Sequence, residues 1–191
     1  DMDLDKDLDM VLINHPHKMD GANDIHIGYN KDRRLAPKLD TSRTYVSYRY
    51  YVNENGKFSD KTIKAGLGTY AYGLSAIIAD FNSDGYPDIY GCNDYKEPDY
   101  LFINNKNGTF TNKAKDYFKH FSTSSMGSDY ADINNDGLLD LFTVDMLPPD
   151  LQRIKRLKGP DPYDIFFKKI QYGYGHQYVK NVLQLNNGNN T

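Results

Sequence analysis

Three nine-residue segments carry the residues best suited to chemistry: Asp1-Met-Asp-Leu-Asp-Lys-Asp-Leu-Asp9, Asp80-Phe-Asn-Ser-Asp-Gly-Tyr-Pro-Asp88 and Asp132-Ile-Asn-Asn-Asp-Gly-Leu-Leu-Asp140. Each reads D-x-[DN]-x-D-x-x-x-D, and the second and third place Gly at position six. A tight loop of this pattern brings the oxygens of positions one, three and five round one point. The position-seven carbonyl and the position-nine carboxylate then close the shell. A shell of about six to eight oxygens, one of them from water, suits Ca2+, whereas Mg2+ dehydrates reluctantly and takes fewer carboxylates. No Cys or His lies in the loops, which argues against zinc. An EF-hand is excluded, because position twelve is Leu12, Gly91 or Thr143 rather than Glu, and strand-like residues follow each loop.

The composition points the same way. Of 26 acidic residues 24 are Asp, and only Glu54 and Glu97 are Glu. A solvated helical surface favours Glu, while Asp favours turns and caps. The loops hold eleven acids and one base, Lys6, which leaves 22 basic and 15 acidic residues elsewhere. Carboxylates packed within a few ångströms repel one another strongly without a cation. The alternative is three Asp-rich surface turns that hold no metal.

The 191 residues, with 39% hydrophobic content and a net charge of -3, are enough for one ordinary core. The apolar runs are far too short to span a membrane, and a single cysteine, Cys92, excludes an internal disulfide. Seventeen Tyr and fifteen Gly favour strands and turns over a helical bundle. Cys92 reads as a small buried residue.

A second landmark organises the chain: Asn55-Gly56, Asn107-Gly108 and Asn187-Gly188, a strong hairpin signal. The spacing from Asn55 to Asp80 and from Asn107 to Asp132 is 25 residues in both cases. The repeat is therefore about 52 residues, and the first and third units carry 27–28 extra residues at the same place. Each unit reads as strand, metal loop, strand, connector, strand, Asn-Gly turn, strand. In the middle unit this predicts strands over 74–79, 88–92, 100–104 and 109–112. Four antiparallel strands at this period describe a β-propeller blade, with a stacked solenoid as the structural rival. The expected fold is all-β: part of one β-propeller domain over 1–191, with calcium loops and a short helical insertion in the third unit. The units fall at about 1–72, 73–124 and 125–191, with insertions at about 15–39 and 148–178. The chain opens on a loop ligand and closes inside a turn, so it reads as a piece truncated at both ends. The first insertion shows no periodicity and reads as loop. In the third, Asp150 caps a helix over 151–158, and a second helix starts at Asp161-Pro162 and ends near Gly173. Arg153, Lys155, Arg156 and Lys158 read as a solvated helix face rather than a nucleic-acid or membrane patch.

At these residues the chain resembles the FG-GAP/VCBS repeats of integrin-α-like β-propellers. The resemblance rests on Ile78-Ala-Asp-Phe-Asn-Ser-Asp-Gly-Tyr-Pro-Asp-Ile-Tyr90, Tyr100-Leu-Phe-Ile-Asn-Asn105, Asn107-Gly-Thr-Phe110 and Ala131-Asp-Ile-Asn-Asn-Asp-Gly137. Together with Ser125-Met-Gly-Ser-Asp129 and Asp145-Met-Leu-Pro148, they look most like the bacterial, ASPIC/UnbV-associated type of secreted or surface-anchored protein. The resemblance implies about three Ca2+ sites. Their side-chain ligands are Asp1, Asp3, Asp5 and Asp9; Asp80, Asn82, Asp84 and Asp88; Asp132, Asn134, Asp136 and Asp140. Asp7, Tyr86 and Leu138 contribute backbone carbonyls. Lys6 departs from the pattern, standing where Gly is usual.

The function so implied is a non-catalytic calcium-binding module of a secreted or cell-surface protein, acting as a binding, adhesion or assembly scaffold. Its partner would be a protein or glycan at the cell surface, with no nucleic acid and no transmembrane segment in this piece. Two other readings stand beside it. A polysaccharide-acting enzyme would use Asp94 or Glu97 on the middle connector; the only metal-like His spacing is His15-x-His17, and there is no nucleophile elbow or phosphate loop. An accessory subunit of an outer-membrane transport complex would use the aromatic stretch 163–178 as its contact surface, and the expected location extends to an outer-membrane-anchored lipoprotein.

Overall fold

The computed structural model describes residues 1–15, 27–33, 35–37, 47–69, 71–156 and 161–189. In the first unit, β1 (Met10–Ile13) leaves the first Asp loop and pairs antiparallel with β4 (Tyr48–Glu54), which pairs with β5 (Lys57–Asp60). Between β1 and β4 lies a short hairpin, β2 (Ile27–Tyr29) with β3 (Leu35–Pro37). The insertion expected as loop thus contains strands. Asn30-Lys-Asp32-Arg33 forms their turn, with Arg33 in the left-handed region at φ 57° and the Asp32 N–H on Asn30 Oδ1 at 3.0 Å.

The second unit is a complete four-stranded antiparallel meander: β6 (Tyr72–Ala79), β7 (Asp88–Asp94), β8 (Tyr100–Asn104) and β9 (Phe110–Asn112), in that spatial order. A one-turn helix, α1 (Ala114–Tyr117), follows it. Next comes β10 (Phe121–Ser122), and the third unit is a sheet of β11 (Gly127–Ala131), β12 (Asp140–Val144) and β14 (Val182–Gln184). Its insertion contains α2 (Leu151–Arg156), α3 (Tyr163–Gln171) and β13 (Gln177–Tyr178), which pairs parallel with β10. The Arg153 N–H bonds Asp150 Oδ1 at 2.7 Å, the N-terminal cap that the sequence predicts. Where the first helix was expected to end, at Lys158-Gly-Pro, lies outside the described residues, as do the side chains of Lys155 and Arg156.

The middle sheet is buried on both faces, and strand alternation explains how. Ile89, Tyr100 and Phe102 face a core shared with Tyr48, Tyr50 and Val52 of β4. Tyr90, Cys92 and Leu101 face a second core shared with Phe121 of β10 and Leu141 of β12. β6 lies against β1 on one side and β11 on the other. The first core is ring on ring: Tyr48 meets Tyr100 edge-on at 6.0 Å and Phe102 at 6.1 Å, and Tyr50 meets Phe110 at 5.5 Å. Gly91 makes room for Tyr48, since a Cβ there would come 2.5 Å from its ring. The Tyr48 hydroxyl passes over that glycine to donate to the Cys92 carbonyl and Asn93 Oδ1, both at 2.8 Å. The protein is therefore mostly β, built of antiparallel sheets with few helices.

Candidate metal centre

The second and third Asp loops join paired strands, β6 to β7 and β11 to β12, the first leads into β1, and the three share one backbone course. Positions four and six are left-handed in all of them: Leu4 and Lys6 at φ 63° and 80°, Ser83 and Gly85 at 56° and 89°, Asn135 and Gly137 at 61° and 87°. Lys6 thus follows the path of the two glycines, at a steric cost of about 1–2 kcal/mol for a side-chain-bearing residue. The position-six N–H bonds the position-one carboxylate, Lys6 to Asp1 at 3.2 Å and Gly85 to Asp80 and Gly137 to Asp132 at 2.8 Å. The position-seven N–H bonds the position-five carboxylate, Asp7 to Asp5 at 2.8 Å, Tyr86 to Asp84 at 3.0 Å and Leu138 to Asp136 at 2.9 Å. The side chain of Asp7 turns away to take the Asn55 N–H at 2.7 Å.

Position nine anchors the loop to its sheet. One oxygen of Asp9, Asp88 and Asp140 accepts the position-two N–H, from Met2 at 2.6 Å, Phe81 at 3.1 Å and Ile133 at 3.0 Å. The other accepts a backbone N–H from the third strand of the unit or the residues just after it: Asn53 at 3.0 Å, Asn104 at 2.8 Å and Asn186 at 2.8 Å. Asp88 and Asp140 are fully buried. Burial, with further help from Asp84 and Asp80, pushes the Asp88 carboxyl up to about 6 against the pull of these two N–H donors.

These three asparagines form a second set of recurring positions that the Asn-Gly landmark conceals. Each side-chain amide reaches the position-eight carbonyl of its own loop: Asn53 to Leu8 at 3.2 Å, Asn104 to Pro87 at 3.2 Å and Asn186 to Leu139 at 3.4 Å. Asn104 also donates to the Met2 carbonyl at 2.8 Å, and Asn186 to the Phe81 carbonyl at 3.1 Å. Both acceptors are position two of the preceding loop, so each asparagine staples one repeat to the one before it. The register defined by the staples places Asn55, Lys106 and Gly188 as equivalents, not the three Asn-Gly pairs. Asn55-Gly56 forms a two-residue hairpin turn, between paired Glu54 and Lys57 with φ of 54° and 82°, whereas Asn107-Gly108 belongs to a longer loop between paired Asn104 and Phe110.

The loops differ in how they settle their own charge. In the second and third, the position-five N–H reaches the position-one Oδ1 at 3.0 Å, and the position-three Asn amide donates to the position-five carboxylate at 3.0 and 2.9 Å. Burial would raise the Asp84 carboxyl, but the Tyr86 N–H, the Asn82 amide and the Lys106 ammonium together hold it below its ordinary value. In the first loop Asp3 replaces the asparagine and no such amide exists. Asp1, Asp3 and Asp9 bring carboxylate oxygens within 4.8 Å of one another, the one group among the described residues whose carboxylates stand close enough to hold a metal ion. Asp1 Oδ1 is buried there with no hydrogen-bond partner. Burial first, then the charges of Asp9 and Asp5, push the Asp3 carboxyl up against the Asp5 N–H bond. The neighbouring Tyr50 phenol is raised by burial and then by Asp9, Asp3 and Asp5. An orphaned carboxylate oxygen beside two further carboxylates fits a hard cation such as Ca2+.

The connector residues raised by the enzyme reading are in local bonds: Asp94 Oδ1 takes the Tyr95 N–H at 2.8 Å, and Glu97 takes the Tyr100 hydroxyl at 3.3 Å. His17 lies outside the described residues. The buried acid on this connector is Asp99, which accepts Tyr90 Oη at 2.6 Å, Ser125 Oγ at 2.5 Å and the Asn93 N–H at 2.8 Å. It ties β7 and the connector to the start of the third unit, and burial pushes its carboxyl up to about 6.

Comparison with known proteins agrees with this architecture. The family model of the FG-GAP-like repeat matches residues 1–91 and 80–143, which covers all of the first two Asp loops and the third. No curated protein matches the chain. Repeats of this family are typically non-catalytic binding or adhesion modules, generally take protein ligands and are usually extracellular. Among the described residues no helix is long and apolar enough to cross a membrane. With three Asp loops of one backbone course and a matching family model over most of its length, the chain belongs to the FG-GAP-like repeat family.

Proposed function

We propose that the chain is part of a calcium-stabilised β-propeller that serves as a non-catalytic binding or assembly scaffold on the outside of the cell. The observation that carries this reading is the first loop, where three carboxylates crowd together round a buried, partnerless oxygen of Asp1. Asp1, Asp3, Asp5 and Asp9 would hold Ca2+ there with the Asp7 carbonyl. Asp80, Asn82, Asp84 and Asp88 with Tyr86, and Asp132, Asn134, Asp136 and Asp140 with Leu138, would do so in the other loops. The ion supplies positive charge where the fold concentrates negative charge, and so locks each loop onto its sheet. Extracellular calcium suits weak sites of this kind, with dissociation constants of about 10⁻⁴–10⁻³ M.

Stiff loops leave the insertions free to present a partner-binding face. The third unit's insertion supports this role: Phe166 packs on Tyr178 at 5.8 Å, while Tyr163 and Phe167 pair at 4.4 Å and remain exposed. A protein or glycan partner at the cell surface, including an outer-membrane assembly, would engage such rings. The test is bound-metal analysis of the purified protein alongside melting with EDTA or added Ca2+. The expected result is calcium at up to one ion per loop and a melting temperature that falls on chelation. A protein that binds no calcium and melts identically in EDTA overturns the reading.

A further inference from the structure

The second loop already has a cation of its own. Lys106 Nζ lies 3.3 Å from Asp84 Oδ2, donates to the Asp84 carbonyl at 3.2 Å and stands 5.2 Å from the centre of the Tyr86 ring. Those contacts are to positions five and seven of the loop, two of the positions that would hold calcium. Lys106 sits in the left-handed region at φ 62°, where its equivalents Asn55 and Gly188 are residue types that adopt it at less cost. Its backbone N–H is held there by Asn104 Oδ1 at 2.9 Å, the same asparagine that staples the second unit to the first. A strained lysine aimed by a buried asparagine at a loop carboxylate is a placed charge, and neither Asn55 nor Gly188 can bring one to the other loops.

We infer that Lys106 is a built-in counter-cation of the second loop, which holds Asp84 in the absence of metal and competes with Ca2+ for it. This rests on the calcium reading above. Its consequence is an ordered set of sites: the first loop, with an orphaned oxygen, fills at the lowest calcium, and the second needs Lys106 to give way. The three repeats therefore respond to different calcium concentrations despite their common backbone.

The chain contains no Trp, so Tyr86→Trp places a single indole beside the second loop and keeps an aromatic face under Lys106. Tb3+ bound there is then read by luminescence under selective indole excitation, while calorimetric titration with Ca2+ counts the other sites. Lys106→Gln in this background is expected to raise Tb3+ affinity at the indole about tenfold, the effect of one unit charge removed from a few ångströms. It should leave the remaining sites unchanged. In EDTA the same substitution should lower the melting temperature, and that difference should shrink at high salt. An indole-sensitised titration unmoved by Lys106→Gln, with the other loops still binding, overturns this inference alone. No ion at any loop in either protein overturns the calcium reading and the inference with it.

Discussion

Asn104→Ala tests whether the repeats are joined by their asparagine staples. Asn104 is 3% exposed, and its side chain makes three bonds: to the Met2 carbonyl at 2.8 Å, to the Pro87 carbonyl at 3.2 Å and from the Lys106 N–H at 2.9 Å. Alanine keeps the backbone N–H bond to Asp88 and loses all three. At about 1 kcal/mol net per bond, with two carbonyls left short of a donor, the cost is about 3 kcal/mol. For a chain of this size that lowers the melting temperature by roughly 6–12 °C. Asn186→Ala loses the Phe81 bond at 3.1 Å, the longer Leu139 bond at 3.4 Å and the Gly188 N–H, so about 2 kcal/mol is expected. Asn53→Ala loses only exposed bonds to Leu8 and from Gly56, worth about 0.5–1 kcal/mol. Asn104→Asp should be worse than alanine at neutral pH, because it turns an unpaired carboxylate toward two carbonyls beside buried Asp88. The assay is denaturant unfolding in EDTA, which removes any contribution from bound ions. If Asn104→Ala costs no more than Asn53→Ala, the bonds from one repeat to the next carry no stability and the reasoning fails.

Gly91→Ala would set a methyl 2.5 Å from the Tyr48 ring, a clash with a fully buried residue; about 1–3 kcal/mol is expected, read as a lower melting temperature. Asp99 keeps its proton longer in the folded state, with its carboxyl near 6, so the folded state binds more protons than the unfolded one between about pH 4 and 6. Its contribution to stability is complete below the unfolded pKa and falls away as pH rises through 6, by up to about 3 kcal/mol. Denaturant unfolding of Asp99→Asn across this window should show that decline removed; an unchanged slope refutes it. Lys6→Gly relieves a side chain held at φ 80° and should stabilise the metal-free protein by about 0.5–1 kcal/mol in the same assay. Burial, with the Asp99 charge adding to it, pushes the Cys92 thiol up to about 12, so thiol reagents should label it only as fast as the protein opens.

The strands were legible because alternation and flanking turns act locally. β7 and β8 follow from apolar residues bounded by the Asp loop and the connector, and α2 from Asp150 at its cap. The hairpin of β2 and β3 was not, since three-residue strands leave too short a pattern, although Asn30-Lys-Asp32 was a readable turn. Asp99 was hidden among 24 aspartates: nothing local separates it from Asp94, and only the non-local approach of Ser125 and Tyr90 buries it. The staples had a local signal, an asparagine directly after an apolar residue in Val52-Asn53, Ile103-Asn104 and Leu185-Asn186. Their meaning was not local, because the acceptors of Asn104 and Asn186 lie 102 and 105 residues away.

The same contrast governs the loops. Their pattern marks all three as equivalent and marks Lys6 as the exception, yet Lys6 follows the glycine path and the loops part company at position three. There an asparagine supplies an N–H to the position-five carboxylate, and an aspartate supplies a further negative charge. One change of side-chain donor thus converts a turn that satisfies itself into one with an unanswered carboxylate. Acid count alone would rank the second and third loops as equals, three acids each. The structure separates even these, since Lys106 answers Asp84 in the second loop and Gly188 stands at the equivalent place in the third. Whether a loop carboxylate is answered is therefore set by the donors around it rather than by the spacing of the acids.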